Sequence, residues 1–167
     1  MNQPLWAPWR MEYIRGEKPE GCIFCRFPVE PRESDRENLV VHRSRLSFTC
    51  LNRFPYNSGH LMVIPKAHGA ELAALSSEAW ADLQEELRRA ARVVQSLYRP
   101  EGLNLGMNLG RCAGAGIVDH LHWHLVPRWV GDNNYMPVVA DTRVVVEALD
   151  SAWERLSAAF DEDAGRT

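Results

Sequence analysis

The chain has 167 residues, of which 46% are hydrophobic and 25% are charged, and this size is sufficient for one domain with a hydrophobic core. Its formal charge of −3 excludes a broad electrostatic surface for DNA or RNA, whereas a local phosphate site needs only a few directed donors. The sequence contains neither an apolar run of about 20 residues that could span a bilayer nor the apolar core of a signal peptide. We therefore predict a single cytoplasmic domain over residues 1–167, with a core at about 22–130 and with no nucleic-acid or membrane partner.

The first half of the chain predicts three strands. Short apolar or β-branched runs occupy residues 39–42, 46–52 and 60–65, after a proline-rich, charged stretch that we interpret as a surface loop. The second and third runs are separated by Phe-Pro-Tyr-Asn-Ser-Gly, whose turn-forming residues predict a hairpin with a wide loop. Cys50 lies within the second run, and we interpret it as a small core residue.

The second half predicts two helices and two further strands. One helix is predicted between Ser76, which can cap its N-terminus, and Pro100, which ends it. Its apolar stripe consists of Trp80, Leu83, Leu87, Val94 and Tyr98. Residues 103–110 and 120–129 are strand-like, and a last helix is predicted from Val145, Leu149, Trp153, Leu156 and Phe160. Few signals for parallel crossovers are present, so the pattern indicates an α+β domain on an antiparallel sheet.

The most informative segment is Asp-His-Leu-His-Trp-His-Leu-Val-Pro at residues 119–127. His120, His122 and His124 alternate with apolar residues, so a strand would place all three imidazoles on one face. A helix would instead turn the central imidazole away from the other two. Three interpretations remain open at this point: a surface strand with chance histidines, a metal-binding row, and a catalytic row in which one imidazole is the nucleophile.

The preceding loop favours the catalytic row. Residues 110–116 contain three glycines, and small residues allow backbone N–H groups to converge on an anion. Asn108, just before this loop, can donate an amide hydrogen bond. Neutral imidazole attacks phosphorus near neutral pH, because its pKa of about 6.5 leaves a free lone pair. The central position makes His122 the predicted nucleophile, with His124 as the predicted donor to the phosphate.

These residues resemble the signature of the histidine triad (HIT) superfamily, in which three histidines alternate with hydrophobic residues. The resemblance extends to Cys-Ile-Phe-Cys at residues 22–25, to residues 59–68 and to residues 104–116. Residues 5–14 and 127–132 resemble one branch of the family, the branch related to bacterial diadenosine tetraphosphate phosphorylases. The resemblance implies a HIT-like fold with about five antiparallel strands and two main helices, and it implies a homodimer.

The resemblance also implies roles for individual residues. His122 is implied to form the nucleotidyl-imidazole intermediate, His124 to bind the transferred phosphate, and His60 to lie close behind the triad. Asn52 stands where the family places a residue on the nucleoside ribose. The residues implied to face the phosphates are Asn108, Gly114 and Gly116. Where many members have Gln followed by Ser or Thr, this chain has Ala115-Gly116, which leaves only backbone amides and leaves the proton donor for the leaving group open.

Cys22 and Cys25 form a pair whose spacing is compatible with redox chemistry, simple burial or half of a zinc site. A second pair of this spacing is absent from the sequence, so further ligands would be histidines, and the resemblance offers His68 and His120. Two thiolates and two imidazoles make a tetrahedral structural site, and we predict Zn²⁺ there. A strand period of two places His120 roughly 6.5 to 7 Å from His122, so the metal would hold the scaffold without contacting the substrate.

The predicted function is cleavage of a dinucleoside polyphosphate, with diadenosine tetraphosphate favoured by the branch resemblance, through a nucleotidyl intermediate on His122. Inorganic phosphate as acceptor makes the protein a phosphorylase that gives ATP and ADP. Water as acceptor makes it a hydrolase of dinucleoside polyphosphates or nucleoside phosphoramidates. The alternative from another class is a zinc-stabilised nucleotide-binding module without catalysis, although a pure binder does not need a central imidazole.

Overall fold

A computed structural model of the chain describes residues 21–132 and 147–165. Its strands are β1 (Val40–Arg43), β2 (Ser47–Leu51), β3 (Leu61–Pro65), β4 (Gly102–Met107) and β5 (Trp123–Arg128). Its helices are α1 (Ile23–Arg26), α2 (Asp35–Asn38), α3 (Ser77–Tyr98) and α4 (Leu149–Ala164), with 3₁₀ turns at Arg32–Ser34, Leu72–Ala74 and Arg111–Ala113. The strands form one antiparallel sheet in the order β1-β2-β3-β5-β4, which confirms the predicted α+β class.

Helix α3 begins and ends at the signals that the sequence contains. The Ser76 side chain accepts a hydrogen bond from the Ala79 N–H at 3.1 Å, and Arg99 adopts a left-handed conformation immediately before Pro100. The prediction that Trp80 belongs to the buried stripe is wrong, since 37% of this residue is exposed. The stripe instead begins at Ala79 and continues at four-residue spacing through Leu83 and Leu87, which leaves the neighbouring Trp80 at its border.

Helices α3 and α4 cover one face of the sheet. The strand residues of this core are Val41, Leu51, Leu61, Val63 and Leu125, and the helices contribute Leu83, Leu87, Val94, Leu156 and Phe160. Trp153 packs at the edge of the core and donates its Nε1–H to the Val40 carbonyl at 2.8 Å. Val145, which was predicted for the last helix, lies outside the described residues. Residues 5–14, which carry part of the resemblance to one branch of the family, lie outside them as well. Within the described ranges, none of the helices combines the length and apolar character that crossing a bilayer requires.

The opposite face of the sheet carries the histidine row. Cross-strand partners place Cys50 opposite Met62, and Met62 opposite His124, so these three side chains share one face. Phe24 and Phe27 pack there against Phe48 and Ile64 in a second apolar cluster. Cys50 is 1% exposed, which confirms its interpretation as a core residue.

The first three predicted strands agree with the structure to within one residue at each end, whereas two later strands and one predicted loop differ more. The strand predicted at 120–129 begins at Trp123, because the position opposite Leu121 is Pro65, which has no N–H for the ladder. Leu121 donates instead to the Gly69 carbonyl at 2.8 Å. The strand predicted at 103–110 ends at Met107. The charged stretch interpreted as a surface loop contains a 3₁₀ turn and the one-turn helix α2.

Candidate active site

The imidazoles of the histidine row lie on one side of the extended segment. The ring of Phe24 contacts those of His120 and His122, with centroids 5.5 and 5.3 Å apart. The rings of His122 and His124 lie 5.0 Å apart. His122 and His124 both line a cavity on the sheet face opposite α3 and α4. His120 is not among the residues that line this cavity.

His122 carries its lone pair on Nε2. Its Nδ1 lies 2.9 Å from the backbone carbonyl of His120, and since a carbonyl only accepts, Nδ1 carries the proton. The side chain is 5% exposed, and burial lowers the pKa of His122 below the usual 6.5, although the hydrogen bond to the His120 carbonyl opposes the shift. The imidazole is therefore neutral at pH 7, with a nucleophilic nitrogen.

A chain of hydrogen bonds behind the row determines the tautomer of His124. The Tyr56 N–H donates to Nδ1 of His60 at 3.1 Å, so the proton of neutral His60 is on Nε2. That Nε2–H donates to Nδ1 of His124 at 3.0 Å. Neutral His124 then carries its own proton on Nε2. It is thereby prepared to donate a hydrogen bond to an anion, which is the role that the sequence predicted for it.

His60 itself stays uncharged. It is fully buried, and burial together with the neighbouring His124 and His122 lowers the pKa of His60 to about 3. A charged His60 would donate from both nitrogens and would lose the acceptor that faces Tyr56. Its placement directly behind the third imidazole agrees with the position that the family resemblance implied.

The depressed pKa of His60 predicts a loss of stability in acid. In the unfolded state His60 binds a proton near pH 6.5, whereas in the folded state it binds one only near pH 3. This one group therefore adds a slope of about 1.4 kcal/mol per pH unit to the free energy of unfolding, which falls as the pH decreases between these values. We expect His60→Gln to be less stable at pH 7 but to lose stability less steeply below pH 6.5. Urea unfolding over a pH series measures both, and an unchanged slope would contradict the assignment.

The cavity combines apolar walls with a polar end. Its apolar residues include Ile23, Phe24, Phe27, Leu39, Phe54 and Ile117. Gly114 and Gly116, two of the residues predicted to face phosphates, line it together with His122 and His124, whereas Asn108 is not among the described lining residues. Gly114 ends the 3₁₀ turn with a φ of 91°, a conformation that favours glycine.

Asn52 also lines the cavity, at the end of β2. Its Oδ1 accepts a hydrogen bond from the Phe54 N–H at 2.9 Å, so the loop already uses this oxygen. The Nδ2 group is the part of the amide that can donate to a sugar oxygen. Phe24 and Tyr56 were missed as site residues. The sequence did contain a signal for Phe24, because a residue between the two cysteines of a predicted metal site is fixed in position if that site forms.

Cys22, Cys25, His68 and His120 form a four-residue cluster whose ligand atoms all lie within 4.8 Å of one another. The Sγ atoms of Cys22 and Cys25 lie 3.3 and 3.6 Å from Nδ1 of His120. Nδ1 of His68 lies 3.3 Å from the Cys25 sulfur and 3.4 Å from Nδ1 of His120. Tetrahedral zinc with ordinary bond lengths separates such sulfur and nitrogen atoms by about 3.5 Å and two nitrogens by about 3.3 Å, so the residues fit this metal.

The site thus defines a class of chemistry: neutral His122 lines a cavity together with a glycine-rich loop and with His124, which can donate a hydrogen bond. An imidazole in this setting can attack an electrophilic phosphorus. The HIT domain family matches residues 33–130, and the chain belongs to this family. A protein of Mycobacterium tuberculosis named AP-4-A phosphorylase is 39% identical over 153 residues, which cover 88% of this chain and 78% of that protein.

One further relative and one similar structure extend the comparison. An adenosine 5'-monophosphoramidase of Schizosaccharomyces pombe is 33% identical over 107 residues, which cover 64% of this chain and 74% of that protein. A Zn-bound histidine triad family protein from Mycobacterium smegmatis superposes with a TM-score of 0.67 over 88% of this chain and 98% of its own. At 24% identity, this last similarity shows a shared fold.

Proposed function

We propose that the protein is a nucleotidyl transferase that cleaves dinucleoside polyphosphates and uses inorganic phosphate as acceptor. The observation that carries this proposal is the neutral His122, which has its lone pair on Nε2 and lines a cavity together with His124, Gly114 and Gly116. Similarity to AP-4-A phosphorylase supports diadenosine tetraphosphate as the substrate, with ATP and ADP as the products.

The first step forms one bond and breaks another at the α-phosphorus. Nε2 of His122 attacks in line, a P–N bond forms, and the P–O bond to the remaining polyphosphate breaks, which releases ATP and leaves AMP on the imidazole. The Nε2–H of His124 and the backbone amides around Gly114 and Gly116 are suited to stabilise the phosphoryl oxygens in the transition state.

The second step restores the enzyme. An oxygen of inorganic phosphate attacks the same phosphorus, and the P–N bond breaks. The electron pair of that bond returns to Nε2 of His122, and ADP is released. Asn52 holds the ribose through its Nδ2 group in both steps, while the apolar walls of the cavity exclude water from the base.

We also assign Zn²⁺ to Cys22, Cys25, His68 and His120, where it would act as a structural ion. The sulfur and nitrogen distances support the assignment, and the similar M. smegmatis protein is Zn-bound. These ligands connect the segment that bears Phe24 to the segment that bears His122. The metal would fix the start of the segment that bears His122, and neither reaction step requires the metal to participate.

The proposed assembly is a homodimer formed through β4, one of the two edge strands of the sheet. Leu105 on this strand and Leu109 beyond it are 48% and 44% exposed, which is unusual for large apolar side chains on an open edge. A second copy that pairs with β4 would cover both. Light scattering on the purified protein should give twice the molar mass of one chain, and a monomer would contradict the assembly.

Phosphate dependence separates the proposed activity from its nearest alternative. Diadenosine tetraphosphate is incubated with the protein with and without inorganic phosphate, and the nucleotides are separated by chromatography. We expect ATP and ADP in the presence of phosphate and little turnover in its absence. Release of AMP with ATP at a rate independent of phosphate would show a hydrolase instead, and the absence of any cleavage would contradict both.

A further inference from the structure

Asn38 is a buried polar residue of the cavity to which the proposed reaction assigns no role. It is 9% exposed and contributes to the cavity lining. Val40 pairs with Cys50, and the Leu51 N–H donates to the Leu39 carbonyl at 2.9 Å. Leu39, which is left-handed with a φ of 60°, joins Asn38 at the end of α2 to β1, so Asn38 lies at the same end of the sheet as Asn52, which we assigned to the ribose. The residue thus lies farther from the histidines than the ribose-binding position does.

The span from the histidines to Asn38 matches the size of a nucleotide. His124 lies on β5, and Asn38 ends α2 two residues before β1, so three strand spacings, roughly 14 Å, separate β5 from the strand that Asn38 precedes. Side chains at both ends reduce this gap to about the length of a nucleoside monophosphate. A phosphate at His124 and a ribose at Asn52 therefore direct the base toward Asn38.

The amide of Asn38 has a fixed orientation. Its Nδ2 donates to a carboxylate oxygen of Glu30, and a carboxylate can only accept, so the reversed amide would place two acceptors against each other. Glu30 is held by Arg26, whose Nε lies 3.1 Å from its other carboxylate oxygen. The backbone of Glu30 is held too, since its carbonyl accepts from Arg43 at 2.9 Å. Oδ1 of Asn38 is consequently the end of the amide turned away from Glu30.

We propose that Asn38 selects an adenine base over a 6-oxopurine, an inference that rests on the proposed function because it names the base of the nucleotide that His122 attacks. Oδ1 accepts a hydrogen bond from the exocyclic amino group of adenine, the pairing that asparagine makes with this base elsewhere. A 6-oxopurine presents an oxygen at the same position. Two buried acceptors then face each other, and the fixed amide cannot turn to relieve them.

The wild-type protein tests the proposal through AMP and IMP, whose bases differ in having an amino or an oxo group at this position. We expect calorimetry to show that AMP binds at least about tenfold more tightly, as the cost of an unsatisfied buried acceptor implies. Equal affinities would overturn the proposal.

Variants then locate the source of the preference. In Glu30→Gln the side-chain shape remains but the amide of Asn38 is free to reverse, so the ratio of AMP to IMP affinity should fall to within about threefold of unity. Asn38→Leu should lose the ratio as well. Glu33→Gln is the matched control, an exposed acidic residue on the same segment, and should keep the wild-type ratio. A Glu30→Gln protein with the full wild-type ratio would contradict the mechanism.

Turnover of diadenosine tetraphosphate, measured on the same preparations, separates the two proposals. Wild-type protein that turns over this substrate but binds AMP and IMP equally would overturn the role of Asn38 alone. Wild-type protein that prefers AMP without any turnover would overturn the proposed function and leave base selection supported.

Discussion

Replacing His122 with glycine is expected to lower turnover of diadenosine tetraphosphate by roughly 10⁴-fold or more, because the P–N bond cannot form without the imidazole. Nucleotide affinity should change little. The proposed base and ribose positions lie on other elements, and the smaller side chain leaves the cavity open. His122→Asn should behave alike while filling more of the space. Steady-state rates and AMP calorimetry on both variants measure the two quantities separately.

His42→Asn is the control for the loss of a histidine as such. His42 lies on β1 with its ring stacked on Phe160, 5.2 Å between centroids, on the face that α3 and α4 cover. This variant should retain turnover within a few-fold at temperatures where it is folded. Turnover in His122→Gly equal to that of the wild type would refute the nucleotidyl-imidazole mechanism.

Replacing Cys22 with serine is expected to remove the bound zinc and to lower the melting temperature by about 10 °C or more. Structural zinc contributes several kcal/mol or more to folding, and in a domain of this size each kcal/mol shifts the melting temperature by about 2 to 4 °C. The loss should be large here because the cluster joins segments far apart in sequence, at residues 22–25, 68 and 120. Elemental analysis and thermal unfolding of the purified variant measure metal content and stability.

Cys112→Ser is the matched control for this substitution. Cys112 is exposed and lies in the 3₁₀ turn at residues 111–113, outside the four-residue cluster. It should retain about one zinc per chain and the wild-type melting temperature. Wild-type protein that contains far less than one zinc per chain would contradict the metal assignment itself.

Local sequence signals were sufficient for most of the fold. The cap at Ser76, the stop before Pro100 and the wide hairpin between β2 and β3 depend on neighbouring residues, and all three are present. The errors arose where a partner distant in sequence decided the outcome. Pro65 on β3 shortens β5, and the sequence of residues 120–129 alone does not indicate this limit. Trp80 fits an apolar stripe almost as well as Ala79 does, and only the packing on the sheet distinguishes them.

The candidate site was predictable in its composition and less so in its hydrogen bonding. Alternation alone identified His122 and its neighbours as a row, and the resemblance added His68 as a partner for the cysteines. The chain of donors through Tyr56 and His60 depends on a backbone N–H in a loop, so sequence could not reveal which nitrogen of His124 carries the proton. The amide of Asn38 is fixed by Glu30, eight residues earlier in the sequence, and the sequence pattern does not predict a hydrogen bond between these two residues.

Mapping the covalent adduct during turnover tests the central role of His122 most directly. The protein is mixed with diadenosine tetraphosphate in the absence of phosphate and quenched in alkaline denaturant, which preserves P–N bonds, and its peptides are sequenced by mass spectrometry. AMP should be attached to His122, at no more than one per chain, and added phosphate should discharge it as ADP. AMP attached to a different residue, or continued turnover while His122 remains unmodified, would contradict the mechanism.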